Sequence, residues 1–168
     1  MKVIIMDTSI LCVWLKVPGK ETCGAEVDRW DFKRVNTLIN REIDNKSTLV
    51  LPLATIIETG NHISQSPGDR FHVAQQLAEL MRKAADQKTP WAAFTDQTKL
   101  WDTDGLGRLA DEWPKLVASR LSIGDATIKQ VAEYYAKGGF MVEILTGDAG
   151  LKAYQPINKP LVPRRRNH

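Results

Sequence analysis

Cysteine is scarce in this sequence, and long hydrophobic runs are absent from it. Cys12 and Cys23 offer neither a disulfide framework nor the paired spacing of a zinc site. No stretch is long enough to span a bilayer, and the N-terminus lacks the basic region, apolar run and cleavage site of a signal peptide. We therefore expect a protein of the reducing cytoplasm, in which both cysteines are inert.

A strong excess of charge of one sign is also missing. The 23 Lys and Arg against 20 Asp and Glu give a net charge of +3, which by itself does not indicate nucleic-acid binding. With 168 residues, 43% of them hydrophobic and 26% charged, the chain has the length and composition of one globular domain. We expect this domain over residues 1–154 and a basic tail over 155–168. In that tail Arg164, Arg165 and Arg166 are candidate phosphate contacts, or simply part of a solvated terminus.

Short apolar runs that alternate with helical patterns predict a parallel α/β sheet between layers of helices. The runs at 2–6, 47–51 and 140–145 are apolar on both sides, which is typical of strands buried on both faces. The hydrophobic spacing predicts helices at 9–15, 26–43, 70–87 and 122–137, one that opens at Pro52 and one turn at 150–154. Residues 89–121 have a poor pattern, from which we predict an irregular strand-like piece, a turn and a helix near 106–117.

Four carboxylates fall where such a sheet binds ligands. Asp7 and Asp148 follow predicted strands, while Asp125 and Glu58 lie in the first and second turns of predicted helices. Strand ends and the starts of the following helices share one edge of a parallel sheet, so the four side chains can converge there. Carboxylates that lie so near to one another repel unless cations offset their charge. Clustered oxygen ligands favour Mg²⁺ or Mn²⁺.

Such a cluster supports hydrolysis of phosphodiester bonds. One ion lowers the pKa of a bound water to make the attacking hydroxide, and a second can stabilise the leaving oxygen. A His, Ser or Cys nucleophile is then unnecessary, and none stands out. Thr8, Ser9 and Thr146 are placed to hydrogen-bond a carboxylate or a bound water, and so is Asn61, one helical turn after Glu58.

Each acid also has a purely structural interpretation. Asp7 and Asp148 could cap helices, and Ser122 with Asp125 resembles a capping box. Glu58 could be a solvated helix charge, although it lies among isoleucines and caps nothing. The joint placement of the acids, rather than any one of them, therefore carries the metal-site hypothesis.

The pattern resembles the PIN-domain nucleases, and in particular the VapC-like ribonuclease toxins. The resemblance rests on four segments in order, at 3–9, 51–58, 124–126 and 142–148. It implies a PIN-like α/β/α sandwich with a mainly parallel central sheet. It also implies one or two Mg²⁺ or Mn²⁺ ions held by the four carboxylates, and metal-dependent cleavage of RNA or other single-stranded nucleic acid. Toxins of this family usually form homodimers and are blocked by a partner antitoxin, which is a further possibility here.

Several functions stay open within and beside this resemblance. A toxin of a toxin–antitoxin pair, a defence module and an RNA-processing factor would all use the same site. The alternative from another class is a catalytically idle PIN-like module that binds or scaffolds a larger nucleic-acid-associated assembly. A phosphatase built around Asp7 ranks last, because Ser9 stands where the haloacid-dehalogenase type has a second Asp.

Aromatic and imidazole side chains receive mainly structural interpretations. Trp91, Trp101 and Trp113 could stack on unpaired bases, but we expect them to complete the core. His62, one turn beyond Glu58, has no second histidine nearby in the sequence and is interpreted as incidental to the acidic site.

Overall fold

A three-stranded parallel sheet, flanked by helices, organises the chain in the computed structural model, which describes residues 1–157. The elements in chain order are β1 (Lys2–Met6), α1 (Thr8–Trp14), β2 (Thr22–Cys23), β3 (Trp30–Asp31), α2 (Phe32–Asp44), β4 (Thr48–Val50), α3 (Leu53–Gln65), α4 (Arg70–Ala85), α5 (Thr103–Ala118), α6 (Ile123–Lys137), β5 (Met141–Leu145) and α7 (Ala149–Lys152). The central strand is β1, which pairs in parallel with β4 on one side and β5 on the other. The predicted α/β class is confirmed.

Helices cover both faces of this sheet, which gives three layers. Side chains alternate along a strand, so Ile4 and Met6 pack in one core with residues of α1 to α4, whereas Val3 and Ile5 pack in a second core with residues of α6. All four side chains are at most 1% exposed. The prediction that the opening run is a strand buried on both faces is therefore confirmed.

Most of the predicted elements occur close to their expected positions. The strands predicted at 47–51 and 140–145 are β4 and β5, and the helices predicted at 9–15, 70–87 and 122–137 are α1, α4 and α6. Pro52 precedes α3 as its N-cap. Within residues 1–157 none of the helices combines the length and apolar character needed to cross a membrane.

The helix predicted at 26–43 is wrong in its first part. Glu26–Asp28 form a short 3₁₀ turn, and β3 pairs antiparallel with β2 through Cys23 and Trp30. The α-helix begins only at Phe32, because the Asp31 carboxylate accepts a hydrogen bond from Arg34 N at 2.8 Å and caps it. A tertiary strand pairing thus replaces two turns of the predicted helix.

The hydrophobic spacing of α4 predicts a core-facing side of Phe71, Ala74, Leu77, Ala78, Met81 and Ala85, and of these only Leu77 is buried. Phe71 and Met81 are 73% and 41% exposed, whereas Val73, Leu77 and Leu80 are buried. The pattern correctly predicts a helix, but the side that meets the core is set by how α4 packs in the first core.

The segment at 89–121 closely follows its prediction. Trp91 forms a parallel bridge with Leu49 and extends the sheet locally, a 3₁₀ helix covers Phe94–Leu100, and α5 follows. Trp91 is buried, as expected of a core residue, and its ring centroid lies 6.5 Å from that of Trp14. Trp101 is 37% exposed, so the expectation that it completes the core is wrong.

Candidate functional site

All four predicted carboxylates line one pocket, of about 420 Å³, at the carboxyl edge of the sheet. Asp7 directly follows β1, and Asp148 lies in the loop after β5. Glu58 comes from α3, and Asp125 comes from the first turn of α6. Four elements, spread over most of the sequence, therefore bring their acids to a common space.

Asp7 is the most firmly held of these acids. It is 4% exposed. Its Oδ1 accepts a hydrogen bond from Thr8 N at 2.7 Å, and its Oδ2 accepts bonds from Ser9 Oγ at 2.6 Å and Thr146 Oγ1 at 2.7 Å. Asp7 is also the N-cap of α1. The predicted support from Thr8, Ser9 and Thr146 is present, and Oδ1 keeps a lone pair for a further ligand.

Ser9 and Thr146, whose hydroxyl groups bind Asp7, also connect the loop after β5 to Asp7. Ser9 Oγ accepts a hydrogen bond from Gly147 N at 3.1 Å, and Thr146 Oγ1 accepts one from Asp148 N at 2.9 Å. Asp148 in turn accepts a bond from Leu151 N at 2.9 Å and caps α7. The positions of Asp7 and Asp148 are thus coupled through short polar contacts.

Glu58 is held in the pocket by a hydrogen bond from Thr8. The hydroxyl of Thr8 donates to Glu58 Oε2 at 2.9 Å, so Thr8 contacts two of the acids, one through its backbone and one through its side chain. The Glu58 carboxylate also lies against the backbone of Gly124 at the start of α6. Glu58 is half-buried.

Asp125 has both of the roles considered from the sequence. Its Oδ2 accepts hydrogen bonds from Ser122 N at 3.1 Å and Ser122 Oγ at 2.8 Å, while its own N–H donates to Ser122 Oγ at 3.0 Å. This is a complete capping box. Within the described residues Oδ1 of Asp125 accepts no hydrogen bond, so the cap leaves one carboxylate oxygen free.

The acids of this pocket lack cationic partners. Among residues 1–157 no salt bridge involves Asp7, Glu58, Asp125 or Asp148. Burial raises the pKa of Asp7, and the negative charge of Asp125 adds to the rise, although the hydrogen bonds to Asp7 oppose it. Burial also raises the pKa of Glu58, with Asp125 and Asp7 adding to the rise. Within residues 1–157 these charges are therefore not neutralised by ion pairs.

The oxygen donors fit a hard divalent cation in kind. As the side chains stand, no group of three or more His, Cys, Asp or Glu within residues 1–157 is arranged to hold a metal ion. Mg²⁺, however, is usually bound through one or two carboxylates and keeps several waters, so it does not need three side chains on one ion.

Burial raises the pKa of Cys12, which lines the same pocket, to about 11. This sulfur is therefore a neutral thiol at neutral pH.

The lining differs from the sequence prediction: Cys12, Thr22 and Cys23 also belong to it, and neither Asn61 nor Thr146 does. Lys20 and His62 line the pocket, whereas Asn61 is exposed and does not line it. His62 follows Glu58 by four residues on α3, and this helical spacing is the signal that places both on one face. Lys20 lies in the loop after α1, where the sequence offers no comparable signal. Arg164, Arg165 and Arg166 lie outside the described residues.

No protein-family model matches this chain, and neither the curated proteins nor the solved structures contain a match to it.

Proposed function

We propose that this chain is a metal-dependent nuclease of PIN-like fold, which hydrolyses phosphodiester bonds in RNA or other single-stranded nucleic acid. The observation that supports this most is the pocket with four carboxylates, drawn from four elements, none of which forms a salt bridge within residues 1–157. A role as the toxin of a toxin–antitoxin or defence system, an inhibitory protein partner and a homodimer all stay predictions from the family resemblance.

In this proposal Asp7, Glu58, Asp125 and Asp148 hold Mg²⁺ or Mn²⁺. Bound there, one or two ions would supply an activated water and a stabilised leaving oxygen. The chain's own contribution is to hold the acids in place. Ser9 and Thr146 fix Asp7, and Thr8 fixes Glu58.

The substrate would meet N–H donors in the same pocket, among them the Lys20 ammonium. Lys20 is exposed and His62 is half-buried in the lining, and no salt bridge within residues 1–157 involves either of them. Their N–H groups can donate hydrogen bonds to a phosphate oxygen. We therefore assign Lys20 and His62 to contacts with the phosphate groups of the substrate.

One observation favours the second candidate, an idle PIN-like module that binds or scaffolds a nucleic-acid-associated assembly. Asp7, Asp125 and Asp148 each cap a helix, so they stabilise the fold whether or not the site turns over. Glu58 caps no helix, so the idle-module alternative does not explain why this acid lies in the pocket.

The deciding experiment is a cleavage assay on single-stranded RNA, structured RNA and single-stranded DNA, with Mn²⁺, with Mg²⁺ and with chelator. Asp7→Asn keeps the shape of the side chain but removes one ligand charge, so we expect it to lower the cleavage rate by at least about a hundredfold. The matched control is Asp111→Asn, an exposed aspartate of α5 outside the pocket, and this variant should cut at the normal rate.

Cutting by Asp7→Asn at the rate of the unaltered protein would mean that the activity comes from another site or from a contaminant. Binding of Mn²⁺ without turnover on any of the three substrates would favour the idle module.

A further inference from the structure

Gly124 lies in contact with the carboxylate of Glu58. A Cβ atom built on Gly124 would stand 2.8 Å from Glu58 Cδ and 3.3 Å from Oε2, and it would overlap Oε1. These three atoms of Glu58 are its nearest neighbours. The carboxylate therefore occupies the space that the side chain of any other residue at position 124 would fill.

The backbone at this position gives no other reason for glycine. Gly124 is in the first turn of α6 and is not among the glycines with positive φ, so an L side chain suits its conformation. Inside a helix, Ala is more favourable than Gly, because Gly loses more backbone entropy on folding. Helix stability alone would thus favour Ala over Gly here.

We infer that Gly124 is a positioning residue, whose missing side chain lets the Glu58 carboxylate enter the acidic pocket beside Asp125. The consequence of this positioning, which is metal binding, rests on the proposed function. The positioning itself concerns only where the Glu58 side chain can lie.

Two other glycines in helices provide matched comparisons. A Cβ on Gly107 of α5 would meet nothing within 4 Å, so Gly107→Ala should be harmless. A Cβ on Gly105 would collide with the backbone of Leu100, so Gly105→Ala should lower the stability of the fold. Gly124→Ala differs from both, because its obstacle is the end of a flexible side chain that can rotate away.

The experiment is to compare Gly124→Ala, Gly105→Ala and Gly107→Ala in Mn²⁺ titrations, in thermal unfolding with chelator present, and in cleavage assays. We expect Gly124→Ala to unfold at the original temperature or above it. Its Kd for Mn²⁺ should rise about 10- to 100-fold, the range for residues that orient metal ligands, and cleavage should fall with it. Gly105→Ala should show the reverse, with a lower unfolding temperature and little change in the Kd of the folded protein.

A second variant tests whether the effect passes through Glu58. Glu58→Asp shortens the acid by one methylene and withdraws it from position 124. The double variant Gly124→Ala with Glu58→Asp should therefore bind Mn²⁺ as well as Glu58→Asp alone. Losses that multiply would show that the two positions act independently and would overturn the inference.

A crystal structure of Gly124→Ala separates this inference from the proposed function. A Glu58 side chain turned away from Thr8 would support the positioning role. It would do so even if the unaltered protein neither binds Mn²⁺ nor cleaves, because that outcome counts against the nuclease proposal alone. Glu58 still within hydrogen-bond distance of Thr8, with the new methyl group accommodated, would overturn the inference whatever the activity.

Discussion

Buried carboxylates lie near both ends of strand β1, but their electrostatic surroundings are opposite. At the amino end Lys2 Nζ lies 3.0 Å from Glu42 Oε1 and 2.7 Å from Glu143 Oε2, and Ser47 Oγ donates to Glu42 at 2.8 Å. At the carboxyl end Asp7 is equally buried, but within residues 1–157 no cation of the chain pairs with it.

The pKa shifts follow this difference. Burial alone would raise the pKa of Glu42, but hydrogen bonds from Lys2 and Ser47 lower it overall. Burial raises the pKa of Asp7 and of Glu58, and neighbouring acids add to the rise. Within residues 1–157 Glu42 is paired with cations of the chain, whereas the acids at the carboxyl end form no salt bridge.

The largest expected effect is stabilisation by metal at the carboxyl end only. Because an ion that binds only the folded state stabilises it, Mn²⁺ at a hundred times its Kd should raise the free energy of unfolding by about 2.7 kcal/mol. Asp7→Asn should lose this response, and Glu42→Gln should keep it. Thermal unfolding with Mn²⁺ and with chelator measures both. Equal stabilisation of the two variants by Mn²⁺ would contradict the proposed difference between the two ends of β1.

A somewhat smaller effect is expected from breaking the pair at the amino end. Lys2→Met leaves Glu42 buried without its main cation, a change that costs about 3–5 kcal/mol for a fully buried pair. We expect about 2 kcal/mol, because the Lys2 side chain is 26% exposed and water screens part of the interaction. Urea unfolding measures the loss.

The control for this prediction is Lys83→Met on α4, which removes an exposed pair with Glu79, and it should cause no measurable loss of stability. A loss in Lys2→Met no larger than in this control would mean that Glu42 is not held by Lys2.

The smallest expected effect is an opposite pH dependence at the two ends. The folded pKa of Glu42 lies below its ordinary value of 4.5. Its stabilising contribution is therefore present above that pH and is lost as the pH falls through the folded pKa. The folded pKa of Glu58 lies above 4.5, so the folded state disfavours its charge and loses stability as the pH rises through that range.

Unfolding temperatures from about pH 3 to about pH 7, with chelator present, measure this difference. The advantage of the unaltered protein over Glu42→Gln should grow with pH, and its advantage over Glu58→Gln should shrink. Two differences that change in the same direction would contradict the assignment of opposite surroundings.

Sequence pattern predicted much of the framework because the signals are local. A short run that is apolar on both sides is typical of a strand buried on both faces, which β1 is. The acids could be assigned to one edge because strand ends and helix starts meet there in any parallel sheet. Two of the wrong predictions, the helix at 26–31 and the core-facing side of α4, concern segments whose local patterns suit more than one packing.

The sequence by itself determined the order of the three central strands and of most helices, and the edge to which the four acids come. Only the tertiary structure decided that β2 and β3 pair before α2, that Lys20 and His62 line the pocket, and that Glu58 lies against the bare backbone of Gly124. The physical reason is that hydrophobic periodicity and capping depend on neighbouring residues. A contact between distant segments, such as that of Glu58 with Gly124, leaves no trace in either local pattern.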